Sequence, residues 1–183
     1  MKTIFISQIE SPIGEMTTGV SDAGVHLLEF YNPDRIKKQV SFLKKHDDAV
    51  IIEKIHHFHD QLLEELKEYF DGSRKLFSIP VHPSGTEFQQ MVWNRLMEIP
   101  FGKTESYETV TISLGNPKAI RAVAAANGQN PIAILIPCHR VIGKNGNLTG
   151  YAGGLKRKRF LLNHERNFLG TEEYKKGEQV NLF

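Results

Sequence analysis

Apolar and polar positions alternate through the first thirty residues. The runs are Thr3-Ile4-Phe5-Ile6, then Met16-Thr17-Thr18-Gly19-Val20, then Val25-His26-Leu27-Leu28-Glu29-Phe30. A period of two is the signature of half-buried strands, and Gly14 and Asp22-Ala23-Gly24 supply turns between them. The pattern predicts a three-stranded antiparallel meander. The period then lengthens to helical spacing over 34–45 and 53–70. In the second stretch Ile55, Phe58, Leu62, Leu66 and Tyr69 form one stripe, and Asp71-Gly72 ends it. Residues 1–83 therefore read as a small α+β domain, a sheet with helices.

Val81-His82-Pro83-Ser84-Gly85 is turn-rich and reads as a linker. Beyond it, Thr86 is placed to cap a helix over 87–97 with an apolar face of Phe88, Met91, Val92 and Leu96. Pro100-Phe101-Gly102 breaks that pattern. Residues 108–114 are rich in Thr, Val and Ile, which propensity disfavours in a helix, yet their position between two clear helices favours one. Asn116-Pro117 is a helix start, and 118–127 is small on nearly every face, with Gly128 as the stop. Helix, short turn and alanine-rich helix is the pattern of a helix-turn-helix; an ordinary packed helical hairpin fits the same spacing. Ile132-Ala133-Ile134-Leu135-Ile136 reads as a short buried strand ended by Pro137. Asn145-Gly146 signals a type I′ hairpin, which would be the wing of a winged helix. Gly153-Gly154 opens a basic helix over 155–164, carrying Lys156, Arg157, Lys158 and Arg159, with Phe160, Leu161 and Leu162 facing inward. Residues 84–169 form the second domain, and 170–183 read as a loose polar tail.

Composition adds little to this picture; charge adds more. The 183 residues are 40% hydrophobic and 24% charged, ordinary for a globular protein. The chain shows neither a leader nor an apolar run of membrane length, which reads as a cytoplasmic protein with no membrane association. Residues 1–83 carry 10 Lys+Arg against 13 Asp+Glu, and residues 84–183 carry 13 against 8. The basic half suits a polyanionic partner.

The single cysteine, Cys138, excludes an internal disulfide. It stands between Pro137 and His139. A free thiol is only about 3% thiolate at neutral pH, so a nucleophilic cysteine needs a base beside it and a third group to hold that base. By adjacency alone Cys138 is equally an inert core residue. The cluster His56-His57-Phe58-His59 places His56 one turn from Asp60, a spacing that metal ligands use. No cysteine or second ligand pair joins it, so it reads as a solvated polar face and no metal is expected.

Pro137-Cys138-His139-Arg140-Val141, with Asn130-Pro131 upstream and a glycine-rich hairpin downstream, resembles the acceptor-cysteine signature of the O6-alkylguanine-DNA alkyltransferases, the methylated-DNA–protein-cysteine methyltransferases. The resemblance is strong from about Phe88 to Glu165 and faint before it. It implies a ribonuclease H-like α+β domain followed by a mainly helical winged-helix/helix-turn-helix DNA-binding domain. It also implies a monomer, without cofactor, that takes the alkyl group of O6-alkylguanine (and of O4-alkylthymine) onto Cys138, irreversibly and once. In the same terms His139 is the base acting through water, Glu165 orients it, and Asn130 braces the cysteine loop. Tyr107 would donate to the purine N3. Val141 and Cys138 would offer carbonyls to the guanine amine, the Ala152 amide would face O6, and Tyr151 would wall the pocket. Arg121 would enter the base stack from the minor groove, with Ser106, Lys118 and Ala122 also on the DNA. Two departures from the family pattern stand out: Ala124 where glycine is usual, and Glu108 where small or polar residues are common. The rival readings are a non-catalytic lesion-binding protein, a winged-helix regulator reading the major groove, and a cysteine hydrolase. The acceptor cysteine argues against the first. The missing glycine-flanked nucleophile and oxyanion hole argue against the last.

Overall fold

The computed structural model describes residues 2–169; the tail expected over 170–183 lies outside the described residues. Among the described residues the chain packs as two compact units, 2–86 with 131–135, and 87–130 with 136–169.

The first unit is built on the expected meander: β1 (Lys2–Ile9), β2 (Met16–Ser21) and β3 (Gly24–Phe30), antiparallel in sequence. Every residue of β2 and of β3 is buried, so both strands are covered on both faces. After α1 (Pro33–His46) comes a strand that local pattern did not reveal, β4 (Ala49–Glu53). It runs parallel to β1 and completes the order β3-β2-β1-β4. Its β-branched Val50-Ile51-Ile52 suits a pleated surface. Ile4, Leu43 and Ala49, with Ile6 and Ile51, close the core on that face.

The helix expected over 53–70 is α2 (His57–Asp71) and starts later. Ile55 falls outside it and is exposed, while Leu62, Leu66 and Tyr69 are buried as the stripe requires. The late start is set by histidines. The His56 ring nitrogen Nδ1 accepts from Phe58 N at 3.3 Å, and His59 Nδ1 accepts from His56 N at 3.0 Å, a reciprocal cap built from two imidazoles. His56 also pairs with Asp22 and stacks on Phe5, and His59 is buried. The cluster is thus a structural cap, not a solvated face. The expected linker is also tied down. Val25 N donates to Pro80 O and His82 N to Val25 O, so residues 80–82 run beside β3. Buried His26 joins the two, accepting from Ser21 Oγ at 2.7 Å and donating to His82 O at 3.0 Å.

Residues 132–136 are buried as expected but do not form a strand. Leu28 N donates to Pro131 O and Ala133 N to Leu28 O, then the chain turns. Leu135 N donates to Ala133 O at 2.8 Å around Ile134, whose φ is 71°. That is a three-residue turn of the rare positive-φ kind, which a β-branched residue adopts only under constraint.

The second unit contains α3 (Glu87–Met97), β5 (Glu105–Ser106), α4 (Tyr107–Ser113), α5 (Ile120–Gly128), β6 (Val141–Ile142) and α6 (Leu155–Asn167). In α3 the buried face is Val92, Trp93 and Leu96; Met91 is exposed, and Trp93 Nε1 donates to Ala126 O. The helical reading of 108–114 holds in α4, where the Ser106 hydroxyl accepts from Thr109 N. The start at Asn116 differs. Pro117–Ala119 is a single tighter turn before α5, and Asn116 makes no side-chain cap. The Asn145-Gly146 turn is not type I′. Gly146 N donates to Gly143 O and Gly143 N to Asn147 O, with positive φ at Gly146 but not at Lys144 or Asn145. This is a three-residue loop with a bulged glycine. In α6 Leu161 and Leu162 are buried, but Phe160 is exposed and Lys158 is wholly buried in its place.

Candidate active site

Cys138 begins a short helical turn, Cys138–Arg140, entered through a tight bend at Pro137, where Cys138 N donates to Ile136 O at 2.8 Å. Asn130 Nδ2 donates to that same Ile136 carbonyl at 2.8 Å. One acceptor thus receives both the cysteine's own amide and the brace expected from Asn130. Cys138 is 5% exposed.

His139 is fully buried, with Nε2 2.7 Å from Glu165 Oε1. A carboxylate only accepts, so Nε2 carries the proton when the ring is neutral. The lone pair then sits on Nδ1, which is buried and has no protein hydrogen-bond partner among the described residues. Burial lowers the His139 pKa and outweighs the attraction of Glu165, so the ring rests neutral, with a lone pair on Nδ1 that can take a proton.

Glu165 accepts at least four hydrogen bonds. Oε1 takes His139 and Arg140 Nη2 (3.0 Å), and Oε2 takes Arg140 Nε (2.9 Å) and the Gly102 amide (2.9 Å). Burial would raise its pKa, but His139 and Arg140 together hold it well below the usual carboxylate range. Arg140 is fixed in turn by Ile99 O at 2.6 Å and lies over the Phe101 ring. Gly102 has φ +72°, and a Cβ there would run into the Leu169 side chain. Only glycine delivers that amide.

Tyr107 opens α4 and is half-buried. Its hydroxyl lies 3.3 and 3.4 Å from the carbonyls of Thr149 and Gly150, and 3.5 Å from Asn127 Nδ2. Burial first, then the nearby Cys138, pushes its pKa up to about 12. Lys158 Nζ donates to the carbonyls of Val141 (2.6 Å), Thr149 (2.8 Å) and Gly150 (3.2 Å), and burial lowers its pKa to about 8. It thereby ties the loop before Tyr151 and Ala152 to Val141, one of whose carbonyl lone pairs it occupies. Tyr151 is half-buried and Ala152 exposed. On α5 and the turn before it, Lys118, Arg121, Ala122 and Ala124 are exposed, while Val123, Ala126 and Asn127 are buried.

Sequence reasoning brought Cys138, His139, Glu165 and Asn130 to this place and missed Arg140, Lys158, Asn127 and the Gly102 amide. One signal was present: Lys158, Leu161, Leu162 and Glu165 recur at helical spacing, which faces the lysine inward with the carboxylate.

A thiol, a neutral buried imidazole and a clamped carboxylate are the parts from which proteins with a cysteine nucleophile are built. The sequence model described as 6-O-methylguanine DNA methyltransferase, DNA binding domain, matches residues 87–167. The methylated-DNA–protein-cysteine methyltransferases of Methanosarcina barkeri and Methanosarcina acetivorans are both 44% identical to this chain. Each match covers 88% of it, and 96% and 98% of the respective relatives. Among solved structures, the Mycobacterium tuberculosis O6-methylguanine methyltransferase matches with a TM-score of 0.74 at 36% identity, covering 97% of this chain and 100% of that one. The Mycobacterium tuberculosis OGT in complex with DNA matches with a TM-score of 0.75 at 36% identity, covering 93% and 97%. The chain belongs to the methylated-DNA–protein-cysteine methyltransferase family. Among the described residues no helix is long and apolar enough to cross a membrane.

Proposed function

We propose that the chain repairs duplex DNA by moving the alkyl group of O6-alkylguanine onto Cys138, once per molecule. The observation that carries this is the buried His139–Glu165 pair next to the chain's single cysteine.

In this reading the Cys138 proton passes through a water to His139 Nδ1, while Glu165 holds the ring and favours the imidazolium that forms. The thiolate attacks the alkyl carbon, the carbon–O6 bond breaks and its electron pair stays on the purine. Tyr107 gives a proton to N3 as the base departs and regains one from the imidazolium by way of water, so the net proton passes from thiol to guanine. The product thioether is not hydrolysed, which leaves no turnover. Val141 and Cys138 carbonyls would read the guanine amine, the Ala152 amide O6, and Tyr151 would wall the base.

The base must leave the duplex, at a cost of a few kcal/mol. Arg121 would replace it in the stack, with Ser106 and Lys118 on the backbone. Exposed Ala122 and Ala124 would let α5 approach a minor groove about 6 Å wide. The α4–α5 pair followed by the 143–147 turn supports a winged-helix reading of the second unit. The mixed sheet with its helices supports a ribonuclease H-like reading of the first.

Intact mass after incubation with duplex carrying O6-methylguanine tests the proposal. One added methyl is expected, on Cys138, and none in Cys138→Ala. A methyl elsewhere, or product exceeding protein, would end it.

A further inference from the structure

We propose that Asn127 is a positioning residue for alkyl transfer, holding the Tyr107 hydroxyl so that its proton is free for the departing base. The inference rests on the transfer reading above.

Asn127 lies near the end of α5 and is 2% exposed. Its Nδ2 is 3.5 Å from Tyr107 Oη and 3.5 Å from the Cys138 carbonyl oxygen. The carbonyl can only accept, which fixes the amide with nitrogen, not oxygen, toward it. The same NH2 group therefore donates to both the phenol and the backbone of the nucleophile.

Donation to the phenol oxygen has two effects. It leaves Tyr107 as donor in its other contacts, where one proton is divided between Thr149 O and Gly150 O. A proton divided between two carbonyls passes readily to a single well-aligned acceptor such as a purine ring nitrogen. The amide also stabilises the negative charge that grows on the oxygen as the proton leaves. That opposes the burial, which pushes Tyr107 up to about 12.

Packing does not account for the residue. Asn127 Oδ1 is buried with no hydrogen-bond donor among the described residues. A buried acceptor without a donor costs stability, and leucine, of similar size, would avoid that cost. An asparagine kept at such a place is kept for its amide.

The test is single-turnover methyl transfer from an O6-methylguanine duplex, using the full chain as wild type, Asn127→Leu, Tyr107→Phe and the double variant. Asn127→Leu is expected to slow transfer about tenfold, the worth of one net hydrogen bond. On the Tyr107→Phe background it should cost less than about twofold, because the partner oxygen is gone. Duplex affinity should hold and the thermal midpoint should stay or rise. An equal loss on both backgrounds, no loss at all, or a loss that tracks affinity or thermal midpoint overturns the inference. Should Asn127→Leu fail to fold, Asn127→Ser runs the same cycle. A wild type that takes no methyl on Cys138 overturns the transfer reading itself, and its intact mass reports that separately.

Discussion

Arg140 carries the largest consequence of any single side chain near Cys138 because it neutralises Glu165 through two parallel hydrogen bonds. Removing one partner of a buried pair leaves a charge without compensation, at about 3–5 kcal/mol. Arg140→Leu is expected to lose that much in urea denaturation. Glu165 would then hold the His139 proton more tightly, and the transfer rate at neutral pH should change with it. Gly102→Ala meets two obstacles at once, the positive φ and the Leu169 side chain. It should cost at least about 2 kcal/mol by the same measurement and slow transfer, since it moves the amide that holds Glu165. A linear reading shows Arg140 inside the cysteine signature and Gly102 in a helix break, and gives neither a role. Cys138, His139 and Glu165 were legible because a nucleophile, a base and an orienting acid are few residue types in a known order. Arg140 and Gly102 act through a carboxylate that only the fold brings to them.

Among the elements, the caps of α2 and the pinning of β3 depend on neutral histidines. Burial lowers His26 to about 4, and lowers His59 as well, against an unfolded value near 6.5. A base with a depressed folded pKa contributes stability that is complete above the unfolded value and is lost as pH falls toward the folded one. Unfolding free energy from urea titration should therefore drop between pH 6.5 and 4, with His26 contributing on the order of 3 kcal/mol. His26→Leu should remove the share of that slope that His26 contributes and leave the shares of His59 and His139. The strands of the meander were legible from their alternation. The β1–β4 pairing was not, since parallel partners far apart in sequence leave no local mark. The buried run 132–136 was correctly placed inside but misread as a strand. Periodicity reports burial, and only the turn at Ile134 tells how the backbone runs.

At the scale of the whole molecule, the expectation of one reaction per chain has a direct readout. Repaired guanine should plateau at the molar amount of protein however large the excess of damaged duplex, as counted by mass or by radiolabel.

Cys138 has almost no surface left to offer, being 5% exposed in the short helical turn it opens. A sulfur that has acquired a methyl keeps a bulkier group at that buried place after the base has gone, and fitting an added methyl into an interior costs about 1–3 kcal/mol. Calorimetry of the protein before and after reaction should show the used form melting several degrees lower. A molecule that works once would then carry a record of having worked, written in its own heat of melting and open to any cellular machinery that discards the loosely folded.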